Sequence, residues 1–417
     1  MSDSSLLIEP LPPGWKNQQF GDVCDRVKDS YQPVDGGNTP YVGLDHLAQG
    51  FPAFVGRGKE SEVKSSKTAF KVGDILFGKL RPYLRKGAQA NFDGVCSTDI
   101  LAFRAKATCE SEFLKFVIHS DEFVAHAKST TSGVQHPRTS WPSLREFRLS
   151  LPPLPEQKKI AHILSTVQRA IETQERIIQT TTELKKALMH KLFTEGLHNE
   201  PQKQTEIGPV PESWELVELG ELLSIAQYGM SVKGNPEGNY PILRMTNQVN
   251  GRIVANKLQF VEIKDSEFGK FKVERGDILF NRTNSLDLVG RTAIHDIEGD
   301  YVFASYLIRI RTDEKHLNPF FLNLDFNRDE TQVRLKSIAT RAVSQSNISA
   351  TRLKGFPIPL PSVSDQAEIV KAGAGFDSKI ELHQTKLAAL RDLFSTLLHE
   401  LMTARIRVNN LDMNINN

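Results

Sequence analysis

The chain predicts an α+β fold: two mixed α/β domains separated by two long helices forming an antiparallel coiled coil, with pseudo-two-fold internal repetition. Three observations lead there. Short motifs recur in the same order in both halves, each half opens on strand-like runs, and each half closes on a long heptad-patterned helix.

The repeat comes first. LPPGW at Leu11–Trp15 returns as VPESW at Val210–Trp214, and GDILF at Gly73–Phe77 returns unchanged at Gly276–Phe280. GVQHP at Gly133–Pro137 aligns with VSQSN at Val343–Asn347, PPLPEQ (Pro152–Gln157) with PSVSDQ (Pro361–Gln366), and LMHKLFT (Leu188–Thr194) with LLHELMT (Leu397–Thr403). The offset grows from 199 to about 210, as small loop insertions in the second copy would cause. Five collinear matches establish a duplication.

In chain order, residues 1–153 read as a first mixed domain, 154–196 as a central long helix and 197–209 as a linker. Residues 210–360 read as a second mixed domain, 361–407 as a C-terminal long helix and 408–417 as a tail. Within the domains, GDILFGK, DILAFRA, GRIVANKLQFVEI and FASYLIRIRT have the β-branched and aromatic content of strands, bounded by Gly, Asn and Asp. Helical stretches interrupt them at Ser111–Ala127 and Pro319–Lys336. Prolines 152, 153 and 155, and 357, 359 and 361, stop each preceding strand and open each long helix. Asp365 with Glu368 has the spacing of a capping box.

Alternating steps of four and three residues mark a seam on each helix. In the central helix it includes Ile160, Val167, Ile171, Ile178, Leu188 and Leu192. In the C-terminal helix it includes Ile369, Phe376, Ile380, Leu387, Leu390, Phe394, Leu397 and Leu401. A 3.5-residue period over four heptads is a coiled-coil pattern, and two matched seams predict that the helices pair with each other.

Composition narrows the function. The 52 Lys and Arg nearly balance the 50 Asp and Glu across 417 residues, so contact with nucleic acid must come from local patches. Three scattered cysteines fit neither a disulfide framework nor a zinc cluster and suit a reducing cytoplasm. No apolar run approaches 18 residues and the acidic, proline-broken opening is unlike a secretory signal, so no membrane association is expected. Between Arg57 and Lys86, however, nine basic residues face three acidic ones.

The candidate binding residues lie in two polar loops per copy. The loop after the first GDILF carries Lys79, Arg81, Arg85 and Lys86; after the second come Asn281, Arg282, Asn284 and Arg291. A further loop offers Gln135, His136, Arg138 and Thr139 in the first copy, and Arg341, Ser344, Gln345 and Asn347 in the second. Arg, Lys, Asn and Gln are the side chains that hold phosphates and read guanine or adenine edges. A common frame with divergent loops suits a ligand with two related half-sites, and duplex DNA is such a ligand.

Catalytic patterns are weaker. Asp45 with Glu62-Val63-Lys64 resembles a nuclease metal site, but the copy keeps only Glu262-Ile263-Lys264, so Glu-x-Lys reads as a solvated strand edge. Asn318-Pro319-Phe320-Phe321 resembles a methyltransferase loop but lacks a preceding Gly-rich turn, and reads instead as a helix start. No metal site is expected, nor any catalytic residue.

The Pro-x-x-Trp opening, the GDILF strand, the Gln-containing loop, the PLPPLPEQ lead into a long helix and the LMHKLFT exit, all twice over, resemble the DNA specificity subunit of type I restriction–modification systems. The resemblance spans about Leu11 to Arg407. It implies two target recognition domains, each reading one half of a bipartite, asymmetric double-stranded DNA sequence, with the helices as spacer. It also implies docking of two modification (methyltransferase) subunits and, through them, two ATP-dependent restriction subunits. S-adenosylmethionine, ATP and Mg would sit on those partners, leaving this chain without a cofactor. Two alternatives stand beside it: a coiled-coil adaptor for proteins, and a self-contained DNA-modifying enzyme.

Overall fold

The computed structural model describes residues 11–341 and 345–412. The chain divides into two compact units. One holds the described residues up to Arg176 and those from Gln384 onward; the other is Ile177–His383. The central helix, Leu154–Glu195, and the C-terminal helix, Val363–Met402, each contribute one end to each unit.

In the first unit, strands Cys24–Arg26, Ile100–Ala105, Ile75–Gly78 and Gly87–Gln89 form an antiparallel sheet in that order. A five-stranded sheet runs Ser30–Tyr31, Lys67–Phe70, Gly94–Cys96, Pro40–Val42 and Gly58–Lys59. Lys16–Gln19 pairs with Arg148–Leu151, which brings the start of the domain beside its last strand. In the second unit a six-stranded sheet runs Leu223–Tyr228, Leu307–Thr312, Ile278–Asn281, Thr292–Ile294, Arg252–Ile253 and Gln248–Val249. Glu215–Glu218 pairs with Pro357–Leu360 there, the counterpart of the first unit's closing pair.

The GDILF repeat is explained by packing. Gly73 and Gly276 take φ of +89° and +90°, a turn conformation that favours glycine. The next residue, Asp74 or Asp277, is buried, and its carboxylate accepts the Lys71 or Glu274 amide at 2.8 Å. The Ile, Leu and Phe that follow are fully buried in both copies.

Several elements depart from expectation. Each helical stretch is broken in two: Ser111–Val117 and Asp121–Ser129 in the first unit, Pro319–Phe326 and Asp329–Ser337 in the second. The first break falls where the Ser120 hydroxyl caps a new helix by accepting from the Phe123 amide. GRIVANKLQFVEI yields only Arg252–Ile253 and Gln259–Val261. The linker region carries a hairpin, Gln202–Thr205 with Gly208–Pro211. Pro357 and Pro359 lie inside a strand, tolerated because its sheet has only two strands and leaves one edge unpaired. The Asp365–Glu368 capping box is replaced by Ser362, whose hydroxyl accepts the Asp365 amide. Glu60–Glu62 is a 3-10 turn rather than a strand edge.

One glutamine ties each long helix to its domain. Gln157 accepts from the Glu110 amide at 2.8 Å and donates to the Thr108 and Pro152 carbonyls at 3.1 and 2.9 Å. Gln366 repeats this with the Asn318 amide at 2.7 Å and the His316 and Pro361 carbonyls at 2.9 and 3.0 Å. Both glutamines are buried, so all three bonds are shielded from water.

The opposite helix end is also held in each unit. In the first, His399 lies 3.7 Å from Asp121 and Arg407 pairs with Glu156 at 2.7 Å. In the second, His190 pairs with Glu330 at 2.7 Å, and Phe193 stacks on Phe321 with 5.0 Å between rings. Within the first unit Arg391 of the C-terminal helix pairs with Glu175 of the central helix at 2.6 Å.

Most of the seam residues serve the domain cores. Ile160, Ile171, Phe394 and Leu401 belong to the core that holds Trp15, Phe20 and Phe116; Leu192 and Ile369 belong to the core that holds Trp214 and Phe321. Val167, Leu387, Leu390 and Leu397 pack on the first core half-buried, and Leu188 on the second. Ile178, Phe376 and Ile380 are half-buried outside either core. Phe193, Met189 and Leu398 are buried although the heptad pattern passes over them. No helix among the described residues is long and apolar enough to cross a membrane.

Candidate nucleic-acid interface

The loop after each GDILF strand and the second polar loop, far apart in sequence, are hydrogen-bonded to each other in both units. In the first, Arg81 N donates to Pro137 O at 2.8 Å and Thr139 N to Lys79 O at 3.1 Å. In the second, Ile348 N donates to Arg282 O at 2.9 Å, and Thr283–Asn284 pairs with Ser346–Asn347 as a short antiparallel ladder. Behind each pair the turn residue just ahead of a strand joins: Lys79 N donates to Asp99 O and Arg282 N to Tyr306 O, each at 2.9 Å.

These bonds correct the sequence alignment. Arg138 bridges Leu80 as Asn347 bridges Thr283, so Arg138, not Pro137, is the counterpart of Asn347, and Thr139 that of Ile348. Thr139 and Ile348 are both buried, which makes this position an anchor.

The sixteen candidate residues divide accordingly. Thr139 and Asn281 are buried and cannot reach a ligand, a correction to their expected role; Asn281 is the last residue of a strand whose four residues are all buried. Five others are engaged within their own domain. Arg85 pairs with Asp121 at 2.5 Å, and the Lys86 ammonium donates to Leu44 O at 2.6 Å. Arg138 forks onto Asp99 at 2.8 and 3.2 Å, which holds the Asp99 carboxyl below the usual carboxylate range. Arg282 lies 4.4 Å over the Tyr228 ring, and the Asn347 amide donates to Thr283 Oγ1 at 2.7 Å. Lys79 is half-buried, and the Asn284 amide nitrogen contacts Met245 Sδ at 3.1 Å.

Arg81, Gln135, His136, Arg291, Arg341 and Gln345 remain exposed. Ser344 lies outside the described residues. Arg81 holds a left-handed backbone at φ 51°, and Arg85 another at φ 49°, at the two ends of the turn Pro82–Leu84. Side chains other than glycine pay a strain there that surrounding bonds must offset, a feature concentrated at functional loops.

Sequence reasoning missed the exposed apolar groups on this surface: Val134, Tyr83, Tyr228 and Tyr306. A tyrosine reads alike in sequence whether exposed or in a core, and only tertiary structure separates the two. Among the described residues no group of His, Cys, Asp or Glu is arranged to hold a metal. Asn318 caps the helix Pro319–Phe326, its side chain accepting the Phe320 and Phe321 amides. All three cysteines are buried, which pushes the Cys96 and Cys109 thiols up to about 12 and Cys24 higher still.

Two matching units each fasten a pair of polar loops to each other by backbone hydrogen bonds, the arrangement expected of a duplicated binding module. The type I restriction modification DNA specificity domain matches the chain twice, over residues 12–182 and 211–392. The chain therefore belongs to the type I restriction–modification DNA specificity family, the non-catalytic component of those systems.

Among relatives, the type I restriction enzyme MjaVIII specificity subunit of Methanocaldococcus jannaschii is 24% identical, over 96% of this chain and 95% of that one. The putative MjaX specificity subunit of the same organism is 32% identical, but over only 48% of each chain. The type I restriction–modification S subunit from M. genitalium, a crystal structure, shares the fold with a TM-score of 0.61 at 15% identity, covering 95% of this chain and 97% of that one.

Proposed function

We propose that this chain reads a bipartite, asymmetric DNA sequence for a type I restriction–modification complex, each unit contacting one half-site through its joined loops. The observation that carries this reading is the equivalence of Thr139 N–Lys79 O and Ile348 N–Arg282 O. One backbone bond, repeated in both units, presents side chains that differ between them. A shared frame with different reading residues is what an asymmetric target requires. Arg81, Gln135 and His136 serve the first unit; Arg291, Arg341 and Gln345 serve the second.

The two long helices form an antiparallel coiled-coil spacer in this reading. A 42-residue helix is about 60 Å long. The glutamine anchors at 157 and 366 and the histidine contacts at 190 and 399 support rigid transmission between helix and domain. Two modification subunits dock along the helices and carry two restriction subunits, with S-adenosylmethionine, ATP and Mg on those partners, in the cytoplasm. Leu184 and Leu393, equivalent positions of the repeat, are 57% and 45% exposed and suit two identical docking contacts.

The test is to remove one heptad from both long helices and map methylation sites in cells that carry the modification partner. The recognised bases should stay the same while their spacing falls by about three base pairs, since a heptad is about 10 Å of helix. Unchanged spacing would refute the spacer.

A further inference from the structure

We propose that Val134 is a base-reading residue that packs against the 5-methyl group of a thymine in the major groove of the first unit's half-site. The inference rests on the DNA-specificity reading above and deepens it. Val134 is 99% exposed, the highest value among the exposed large hydrophobic side chains. It stands at the tip of a hairpin closed by Ser132 N to Arg138 O and Arg138 N to Ser132 O, both 3.0 Å. Gly133, at φ +90°, turns the chain there. The base of the hairpin is held by the Arg138 fork on Asp99 and by buried Thr139.

A lone exposed valine is ordinary on a protein surface. This one differs in sitting in a loop closed by the Ser132–Arg138 bridge, whose other exposed side chains, Ser132, Gln135 and His136, are polar. The loop is also bonded, through Arg81 N to Pro137 O, to the turn that bears exposed Arg81 and Tyr83. The projecting tip of a short loop can enter the major groove, where the thymine methyl is the apolar group that base edges present. The neighbouring Gln135 carries the amide that suits an adenine edge, so adjacent residues can read both bases of A·T pairs. The Val134 side chain has no polar atom, so only an apolar group can be its partner there.

The test uses the full chain with its modification partner and the mapped target duplex. Each thymine of the half-sites is replaced in turn by deoxyuridine, which deletes only the methyl group. One such change should weaken binding of the parent complex about fourfold, the effect of one buried methyl. Val134→Ala, which leaves the buried frame untouched, should bind the thymine and uracil duplexes alike. A Val134→Ala complex that keeps full thymine–uracil discrimination overturns the inference, as does a parent complex indifferent to every deoxyuridine. So does an equal loss on all sequences with weakened subunit assembly, which would put Val134 against a protein partner. A parent complex with no bipartite target would remove the specificity reading itself, and this inference with it.

Discussion

The buried carboxylate of Asp74 receives two hydrogen bonds of 2.8 Å from Arg104, through Nε and Nη2, and Asp277 with Arg311 repeats this fork at 2.7 and 2.8 Å. Each aspartate is the second residue of GDILF, and each arginine lies on the strand that pairs with it. The side chain of Asp277 is fully buried, with Arg311 as its cationic partner.

Arg311→Met should therefore strand a buried charge. The expected cost is about 3 kcal/mol, read as a fall in the urea midpoint. Because the second unit carries this fork, methylation mapping should show the second half-site relaxed while the first is kept.

Gln157→Leu removes three shielded hydrogen bonds and leaves the Glu110 amide and two carbonyls without that partner. Destabilisation of about 2–4 kcal/mol is expected. Gln366→Leu should behave alike in the second unit. A denaturation midpoint unchanged in both variants would show that these glutamines do not hold the helix starts.

Arg81→Ala deletes an exposed guanidinium on a backbone held by its own bonds. Binding should weaken by about 1–3 kcal/mol at one half-site, with protein stability unchanged, in titrations against duplexes altered in one half at a time. Equal losses for both halves would indicate contact with phosphates only.

Acid should loosen the first unit in two stages. Burial lowers His119 from its usual 6.5 to about 4; its Nε2 lies 3.1 Å from Gly87 O while Nδ1 has no partner. Between about pH 6.5 and 4 the unfolded chain binds the extra proton, so stability rises with pH there and falls on acidification, by about 3 kcal/mol in full. Hydrogen bonds from Thr39, Tyr31 and Val34 hold Glu60 at about 2, so its contribution is present above about 4.5 and is lost as pH falls toward 2. Urea midpoints at pH 7 and pH 5 should converge in His119→Gln relative to the parent.

Much of the fold was legible because duplication prints the same constraint twice. GDILF and the two glutamines recur since a left-handed turn, a buried charge and an orphaned helix start each accept few residue types. The break at Ser120 was not legible, since a side-chain cap onto the Phe123 amide decides it. The site was half legible: composition marks the loops as polar but does not distinguish Arg81, which faces water, from Arg138, which clamps Asp99.

By itself, the sequence determined the tandem repeat, the two long helices and the loops that differ between copies, because these are patterns of period and order along one dimension. Only the tertiary structure decided which polar side chains are spent on holding the loops and which remain to meet a ligand. That choice depends on hydrogen-bond partners 36 to 64 positions away, and a buried donor takes such a partner before any ligand arrives.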